Sequence, residues 1–337
     1  MLKTIEVFLI TGFLGSGKTA CLNHIIKHMP VDLKTMVLMN EFGATGIDGV
    51  LVETADLNVV EINKGSIFCA CAKTDFIKAL ADIAVNFRPD VLFIEATGVA
   101  NPSDIRRDVQ LPFFKGAFSF QKQLCLVDLS NFMQEFEQFA AAEYQIKNAD
   151  LCLLNKIDLS APAELEAVKK LILRHNPAVQ FEETIFGQLD LNRLLPKELG
   201  RSAGEFPMRQ PVTAAELEAV MCGMLRDPFA GLQPPDTLES AVYQWSGGNV
   251  DEFMAMVEKW PRTLVRVKAL LKFINGAKVR FDWVMGELTF DKCTQDNRLH
   301  KNYENIWNHI VLLAEPAVMR EFEAMALTES RLTKVAE

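Results

Sequence analysis

Gly12-Phe-Leu-Gly15-Ser16-Gly17-Lys18-Thr19, near the start of the chain, is the most informative motif for the fold of its first part. It matches the pattern G-x-x-x-x-G-K-[ST], in which glycines let the backbone curl around a cluster of phosphate oxygens. The apolar run Ile5–Ile10 predicts a buried strand before it, and Lys18–Met29 predicts a helix after it, with its positive N-terminal end toward the phosphates. We therefore expect residues from Gly12 to Ala20 to bind the phosphates of a nucleotide, with Lys18 reaching the β- and γ-phosphates and Thr19 binding Mg²⁺.

Short apolar runs and longer helical patterns alternate over the first two hundred residues. Strands are predicted at Thr35–Met39, Asn58–Ile62, Asp90–Ile94, Gln123–Asp128 and Asp150–Leu154. Helices are predicted at Lys73–Asn86, Asn131–Lys147 and Pro162–His175. This alternation is typical of an α/β domain with a mainly parallel sheet, whose strands are apolar because helices cover both faces. We expect such a phosphate-binding domain over residues 1–200.

The pattern changes near residue 200, where turn-forming and charged residues accumulate. We interpret residues 201–212 as a linker and residues 213–337 as a smaller α+β domain. Thr213–Arg226 predicts a helix, because Thr213 and Glu216 have the spacing of a capping box. A hairpin is predicted from two apolar runs and the Asn-Gly turn between them, namely Thr263–Ile274, Asn275–Gly276 and Ala277–Trp283. The last thirty residues are expected to be helical.

The composition of the chain excludes several classes of function. The chain has 337 residues, of which 49% are hydrophobic and 23% charged, with a formal net charge of −9. These values are typical of a packed protein of about two domains, and the lack of a basic run argues against nucleic acid as a partner. No stretch of about 18 apolar residues predicts a membrane span. The seven mostly dispersed cysteines indicate a reducing compartment, so we expect a cytoplasmic protein without membrane contact.

A second polar motif, Asn155-Lys156-Ile157-Asp158, follows the last strand predicted in this domain. A carboxylate at Asp158 can accept hydrogen bonds from the N1–H and the 2-amino group of guanine together. Adenine has no such pair of donors, which argues against an ATP-using kinase. We expect Asn155 to contact the other edge of the base and the stem of Lys156 to cover it. GTP and GDP are therefore the predicted ligands.

Acidic residues between the two motifs are candidates for binding Mg²⁺ or its water shell. Glu95 ends an apolar strand, and Gly98 follows it closely enough to approach the γ-phosphate. We expect Lys18, Thr19 and Glu95 to act in hydrolysis through position and charge. Glu41, in the sequence N-E-F-G, is a further candidate ligand. The alternatives are that Glu95 is a solvated strand end and Glu41 a loop carboxylate without a ligand role.

Several motifs occur in one order: T-G-F-L-G-S-G-K-T, N-E-F-G, E-A-T-G-V-A-N-P from Glu95 to Pro102, N-K-I-D, and N-P-A at Asn176–Ala178. In this order they resemble the CobW-type family of SIMIBI-class P-loop GTPases over about residues 4–195. The resemblance implies a switch that binds GTP and hydrolyses it slowly. It also implies delivery of Zn²⁺ or Co²⁺ to a client metalloprotein or metallocofactor enzyme, and a link to cobalamin pathways. It also implies a nucleotide-dependent homodimer.

The cysteine motif of that family, Cys-x-Cys-Cys, is incomplete in this chain. The matching segment is Gly65-Ser66-Ile67-Phe68-Cys69-Ala70-Cys71. An alignment on Gly65 keeps only Cys69, whereas a shifted frame uses both Cys69 and Cys71. Two thiolates suit Zn²⁺ or Co²⁺ and would need a further ligand, from Glu41 or a second subunit. The alternative is that both cysteines are small buried residues that pack under the switch loop.

Two functions remain open at this point. In the first, GTP and Mg²⁺ order the segments Glu41–Asp48 and Glu95–Gly98, and a transition metal is the cargo. In the second, the same switch docks a partner metalloenzyme through the second domain and carries no metal of its own, which the incomplete cysteine motif favours. His24 and His28 lie one helical turn apart, and we expect surface or packing roles for them rather than metal binding.

Overall fold

The computed structural model describes residues 4–40, 58–62, 70–114, 116–195, 236–292 and 307–335. These residues form two compact units, of which the first ends at Asp236 and the second begins at Thr237. The predicted linker 201–212 and the predicted helix Thr213–Arg226 lie outside the described residues, so the domain boundaries given above stay predictions. Within the described part of the chain, no helix is both long and apolar enough to cross a membrane.

The first unit is built on a seven-stranded sheet in which all neighbouring strands are parallel. The strands are β1 (Ile5–Gly12), β2 (Thr35–Asn40), β3 (Asn58–Ile62), β4 (Val91–Glu95), β5 (Phe118–Asp128), β6 (Leu151–Asn155) and β7 (Gln180–Glu183). Their order across the sheet is β3-β2-β4-β1-β5-β6-β7. The predicted fold class and every strand predicted in this unit are confirmed, and only β7 was not anticipated.

Helices connect these strands. They are α1 (Lys18–His28), α2 (Ala70–Asp82), α3 (Pro102–Val109), α4 (Phe132–Gln138), α5 (Ala140–Lys147), α6 (Pro162–His175) and α7 (Leu191–Leu194). The helical stretch predicted near Asn131–Lys147 is confirmed, but it is divided into α4 and α5 because the chain is extended at Phe139, with φ of −126° and ψ of 122°. The ring of Phe139 packs on that of Phe13, with centroids 4.8 Å apart. This contact between distant parts of the sequence accompanies the break between α4 and α5.

Both faces of the parallel sheet are covered by helices. Along β1, Val7 and Leu9 pack into one apolar layer, while Phe8 and Ile10 pack into the other. All four side chains are fully buried, and each such burial contributes roughly 1.5–3 kcal/mol. Because all strands run in one direction, the carboxyl ends of β1, β4, β5 and β6 lie along one edge, where ligands bind in open α/β sheets.

The second unit is a six-stranded sheet in which all neighbouring strands are antiparallel, in the order β11-β10-β9-β12-β8-β13. Its elements are β8 (Glu239–Trp245), α8 (Val250–Val257), β9 (Arg266–Lys272), β10 (Lys278–Val284), β11 (Glu287–Lys292), β12 (His309–Ala314), α9 (Pro316–Ala326) and β13 (Leu332–Lys334). The predicted hairpin is confirmed, and Gly276 in its turn has φ of 82°. The expectation of helix throughout the last thirty residues was wrong, because β12 and β13 flank α9 there. Ile310 and Leu312 alternate along β12 into the core, as in a strand.

Candidate nucleotide-binding site

The phosphate loop joins β1 to α1 and has the curled backbone that its glycines predict. Gly12, Gly15 and Gly17 have φ values of 138°, 79° and 100°. A Cβ on Gly12 would lie 2.4 Å from the carbonyl oxygen of Leu126, and a Cβ on Gly17 would lie 2.5 Å from Nδ2 of Asn155. Both the conformation and the close contacts therefore exclude larger residues at Gly12 and Gly17.

Lys18, the first residue of α1, lies against the phosphate loop. Its Nζ donates hydrogen bonds to the carbonyl oxygens of Gly12 and Phe13, each at 2.9 Å. The side chain is buried, and the first turn of α1, which includes Thr19 and Ala20, begins at the same loop. The ammonium and the helix end together make this corner of the sheet positive, which suits a phosphate group.

Thr19 and Glu95 meet beside the loop. The Thr19 hydroxyl donates a hydrogen bond to Oε1 of Glu95 at 3.0 Å. Glu95 ends β4, which pairs with β1 in the sheet, and it is only 6% exposed. A hydroxyl and a carboxylate are oxygen ligands of the kind that Mg²⁺ prefers. The donor set therefore suits Mg²⁺, and the binding of the ion by Thr19 and Glu95 stays a prediction.

The loop that follows Glu95 packs directly on the phosphate loop. A Cβ on Gly98 would lie 2.7 Å from the backbone nitrogen of Leu14 and 2.5 Å from its Cδ2. The carbonyl oxygen of Gly98 accepts a hydrogen bond of 2.9 Å from Nε2 of Gln145. The structure thus brings Gly98 next to the predicted phosphate site.

Asn155, at the end of β6, connects two loops. Its Nδ2 donates to the carbonyl oxygen of Ser16 at 2.8 Å, and its Oδ1 accepts from the N–H of Gly187 at 3.0 Å. The residue is 2% exposed. Asn155 therefore holds the phosphate loop against the loop after β7, while its predicted contact with a base stays a prediction.

Lys156 and Asp158 follow on the same edge of the sheet. Lys156 has φ of 61°, and its ammonium forms a salt bridge with Asp128, the buried last residue of β5. This ion pair fixes the long Lys156 side chain against the carboxyl end of β5. Asp158 lies in a single helical turn, Ile157–Leu159, and is exposed. Its carboxylate is therefore accessible to a base, as the guanine hypothesis requires.

A family model described as "CobW/HypB/UreG, nucleotide-binding domain" matches residues 6–183, which is more than half of the chain. The chain belongs to the CobW/HypB/UreG family. The matched range contains the phosphate loop, Glu95, Gly98 and the segment Asn155–Asp158. The resemblance inferred from the motifs is thus confirmed.

Curated relatives align with part of the chain. The zinc chaperone YeiR of Escherichia coli is 31% identical over 203 residues, which are 59% of this chain and 60% of the relative. Zinc-regulated GTPase metalloprotein activator 1 of Schizosaccharomyces pombe is 31% identical over 198 residues, which are 56% of this chain and 48% of the relative. The chain therefore spans about half to three fifths of the length of these relatives.

Among solved structures, the Zn(II)-bound YjiA GTPase from Escherichia coli aligns with 96% of this chain and 99% of that chain. The identity is 20% and the TM-score 0.43, so the overall likeness is loose.

The predicted transition-metal ligands of this CobW/HypB/UreG member are not part of the geometry above. Glu41 and Cys69 lie outside the described residues, and Cys71 lies in the first turn of α2 with its side chain undescribed. Within the described ranges, no three His, Cys, Asp or Glu side chains form a cluster that could hold a metal ion. A site at Glu41, Cys69 and Cys71 therefore stays a prediction.

Three described thiols and the two histidines of α1 pack against neighbouring side chains. Cys21, Cys125 and Cys152 are buried and form no disulfide. Burial raises the pKa of the Cys21 thiol, and the contact with Cys125 together with burial raises the pKa of Cys152. Protonated, buried thiols are poor metal ligands. The rings of His24 and His28 pack together with centroids 4.3 Å apart, as expected for a packing role.

Three polar residues near the site were missed from the sequence: Asp128, Glu135 and Gln145. Asp128 ends an apolar strand, as Glu95 does, and this position in the sequence could have marked Asp128 as a candidate site residue. Glu135, in α4, is fully buried, and neither carboxyl oxygen has a hydrogen-bond partner among the described residues. Burial, followed by the nearby Asp128, raises its pKa well above the ordinary value, while Lys156 and Lys18 oppose the shift. Its neutral form is therefore favoured.

Proposed function

We propose that this chain is a switch that binds and hydrolyses GTP. The observation that carries the proposal is the hydrogen bond of 3.0 Å between Thr19 and Glu95 beside Lys18. The two side chains offer oxygen ligands for Mg²⁺ at the end of a phosphate loop, within a range that matches a nucleotide-binding domain. The exposed carboxylate of Asp158 supports guanine as the base, because it offers the acceptor that guanine needs.

Hydrolysis by this site is mainly a matter of position and charge. The loop N–H groups and the end of α1 orient the phosphates, and Lys18 neutralises charge on the β- and γ-phosphates. Mg²⁺, held by Thr19 and Glu95, would supply further neutralisation of the phosphate oxygens. The intrinsic rate is slow until a second subunit or a partner completes the site.

The proposed role of the switch is delivery of Zn²⁺ or Co²⁺. Cys69 and Cys71, with Glu41, are the proposed ligands of this cargo. The names of two relatives, a zinc chaperone and a zinc-regulated GTPase metalloprotein activator, support Zn²⁺ and a client metalloprotein or metallocofactor enzyme. A nucleotide-dependent homodimer is the proposed assembly.

A second candidate is a GTP-dependent activator of a metalloenzyme that carries no metal. Phe68 stands where the ungapped alignment expects a thiolate, and phenylalanine cannot bind a metal ion. A pull-down with the GTPγS-loaded and GDP-loaded protein tests this candidate. A partner that prefers one nucleotide state, in chelator-treated buffer, would support it, and equal capture in both states would refute it.

The test of the first candidate is a hydrolysis assay with Mg²⁺ that compares GTP with ATP, with and without Zn²⁺. We expect hydrolysis of GTP in preference to ATP, loss of activity in Lys18→Ala, and stimulation by Zn²⁺ in the parent protein. The Cys69→Ser/Cys71→Ser double variant should keep the basal rate and lose the stimulation. Equal use of ATP would contradict the guanine assignment, and equal stimulation of both proteins would contradict the cysteine site.

A further inference from the structure

A buried glutamine holds the loop that faces the phosphate site. Gln145 lies on α5 and is 1% exposed. Its Nε2 donates to the carbonyl oxygen of Gly98 at 2.9 Å and lies 3.5 Å from that of Ala100. A buried side-chain amide with two backbone acceptors on one loop constrains the path of that loop, because an unmade bond there would cost free energy.

Gly98 is held from two sides. Besides the bond to Gln145, Leu14 of the phosphate loop is so close that a Cβ on Gly98 would lie 2.5–2.7 Å from three of its atoms. A glycine peptide rotates readily unless its carbonyl group is fixed. The side chain of Gln145 donates a hydrogen bond to the carbonyl oxygen of Gly98. This bond limits rotation of the peptide where the loop packs on Leu14.

The helix that carries Gln145 is itself anchored. Nε2 of Gln123, on β5, donates to the backbone carbonyl of Gln145 at 3.0 Å and to the Thr11 hydroxyl at 3.4 Å. At the other end of α5, the carboxylate of Asp236 accepts from the N–H groups of Ala140 and Ala141, each at 2.9 Å. Gln145 therefore extends from a fixed helix and not from a mobile loop.

We propose that Gln145 is a positioning residue that presents Gly98 to the γ-phosphate and thereby lets the site distinguish GTP from GDP. The inference rests on the proposed function, since it requires a guanine nucleotide at the phosphate loop. Only GTP has a γ-phosphate, so a donor that is aligned for it binds the two nucleotides differently. Without the amide of Gln145, Gly98 loses its alignment and this difference shrinks.

The experiment compares Gln145→Met with Gln123→Met. Both variants replace a buried glutamine of the same network by an apolar side chain of similar length, but only the first removes the bond to Gly98. We expect Gln145→Met to weaken binding of GTPγS with Mg²⁺ by about 10- to 100-fold, the range for a hydrogen bond to a charged group, with GDP binding nearly unchanged. Gln123→Met loosens the anchor of α5 but keeps the Gln145–Gly98 bond, so it should change the ratio of the two affinities by much less than Gln145→Met does.

The outcomes separate the inference from the proposed function. A parent protein that binds neither nucleotide would refute the proposed function. A parent that binds both, with the same affinity ratio in Gln145→Met, would overturn only the inference. If Gln145→Met does not fold, a crystal structure of the parent with GTPγS and Mg²⁺ tests the role of Gln145 instead. The proposal expects the Gln145–Gly98 bond intact and the Gly98 N–H on a γ-phosphate oxygen, and a Gly98 turned away from the nucleotide would overturn it.

Discussion

The hydroxyl of Thr19 donates to the carboxylate of Glu95 across 3.0 Å, although 76 positions separate the two residues in the chain. The contact exists because β4 pairs with β1, which places the end of β4 beside the phosphate loop. One oxygen comes from the first turn of a helix and the other from the tip of a strand. The sheet topology therefore creates the proposed Mg²⁺ site.

Glu95→Gln should weaken binding of Mg²⁺ to the GTP complex. The variant keeps an acceptor for the Thr19 hydroxyl and removes the negative charge. We expect the Mg²⁺ affinity to fall about 10- to 100-fold, the range for residues that hold or orient a metal ligand. A Mg²⁺ titration of GTPγS binding measures the change, with Glu143→Gln on α5 as the control for lost charge. An unchanged Mg²⁺ requirement would show that Glu95 does not hold the Mg²⁺ ion.

Asp158→Asn should change the base preference. The amide gives the N1–H and 2-amino donors of guanine a poorer acceptor and gives the 2-carbonyl group of xanthine a donor. We expect GTP to bind at least about tenfold more weakly and XTP to bind more tightly than in the parent. Competition against labelled GDP measures both, and Asp190→Asn, another exposed aspartate, is the control. An unchanged order of affinities would show that Asp158 does not contact the base.

A comparison of Gly17→Ala with Gly276→Ala separates the effect of backbone strain at a positive φ from the effect of a steric collision of the added Cβ. Both glycines have positive φ, 100° and 82°. A Cβ on Gly17 would collide with Asn155, whereas a Cβ on Gly276 meets nothing within 4 Å. We expect Gly276→Ala to lower the free energy of unfolding by about 1 kcal/mol and to leave nucleotide binding intact. Gly17→Ala should lose nucleotide binding, and equal binding by both variants would contradict this account.

Glu135 should make stability depend on pH. Its pKa in the folded protein is raised, above all by burial. The stability that the buried neutral Glu135 contributes to the folded state is fully present below the pKa of Glu135 in the unfolded state. It is lost as pH rises through the pKa of Glu135 in the folded state. Glu135→Gln stays neutral and lacks this loss, so its stability relative to the parent should increase with pH, by at most about 1.4 kcal/mol per pH unit. Urea unfolding of both proteins from pH 5 to pH 8 measures the difference, and a constant difference would exclude a raised pKa.

The sequence alone was sufficient for the motifs and for six of the seven described strands of the first unit. Buried parallel strands are continuous apolar runs, and the phosphate loop is a local pattern whose glycines are needed at fixed spacing. Strand β7 was missed because Gln180–Glu183 is polar and partly exposed, so no periodicity distinguishes it.

Other features depend on contacts between distant residues. Asp236 caps α5 by binding the N–H groups of Ala140 and Ala141, which are 96 and 95 positions away. The break at Phe139 accompanies its packing on Phe13. Neither partner can be identified from local spacing. Gln145 and Glu135 were missed for the same reason, since their environment is created by the sheet and the helices together.

We propose above all that a guanine-nucleotide switch controls a transition-metal site at Cys69 and Cys71. A titration of the reduced protein with Co²⁺, loaded with GTPγS and Mg²⁺ or with GDP, tests it most directly, because cobalt–thiolate absorption reports the ligands. We expect tight binding with a thiolate band in the GTPγS form, weaker binding in the GDP form, and loss of the band in Cys69→Ser/Cys71→Ser. The absence of Co²⁺ binding in both nucleotide forms would contradict it.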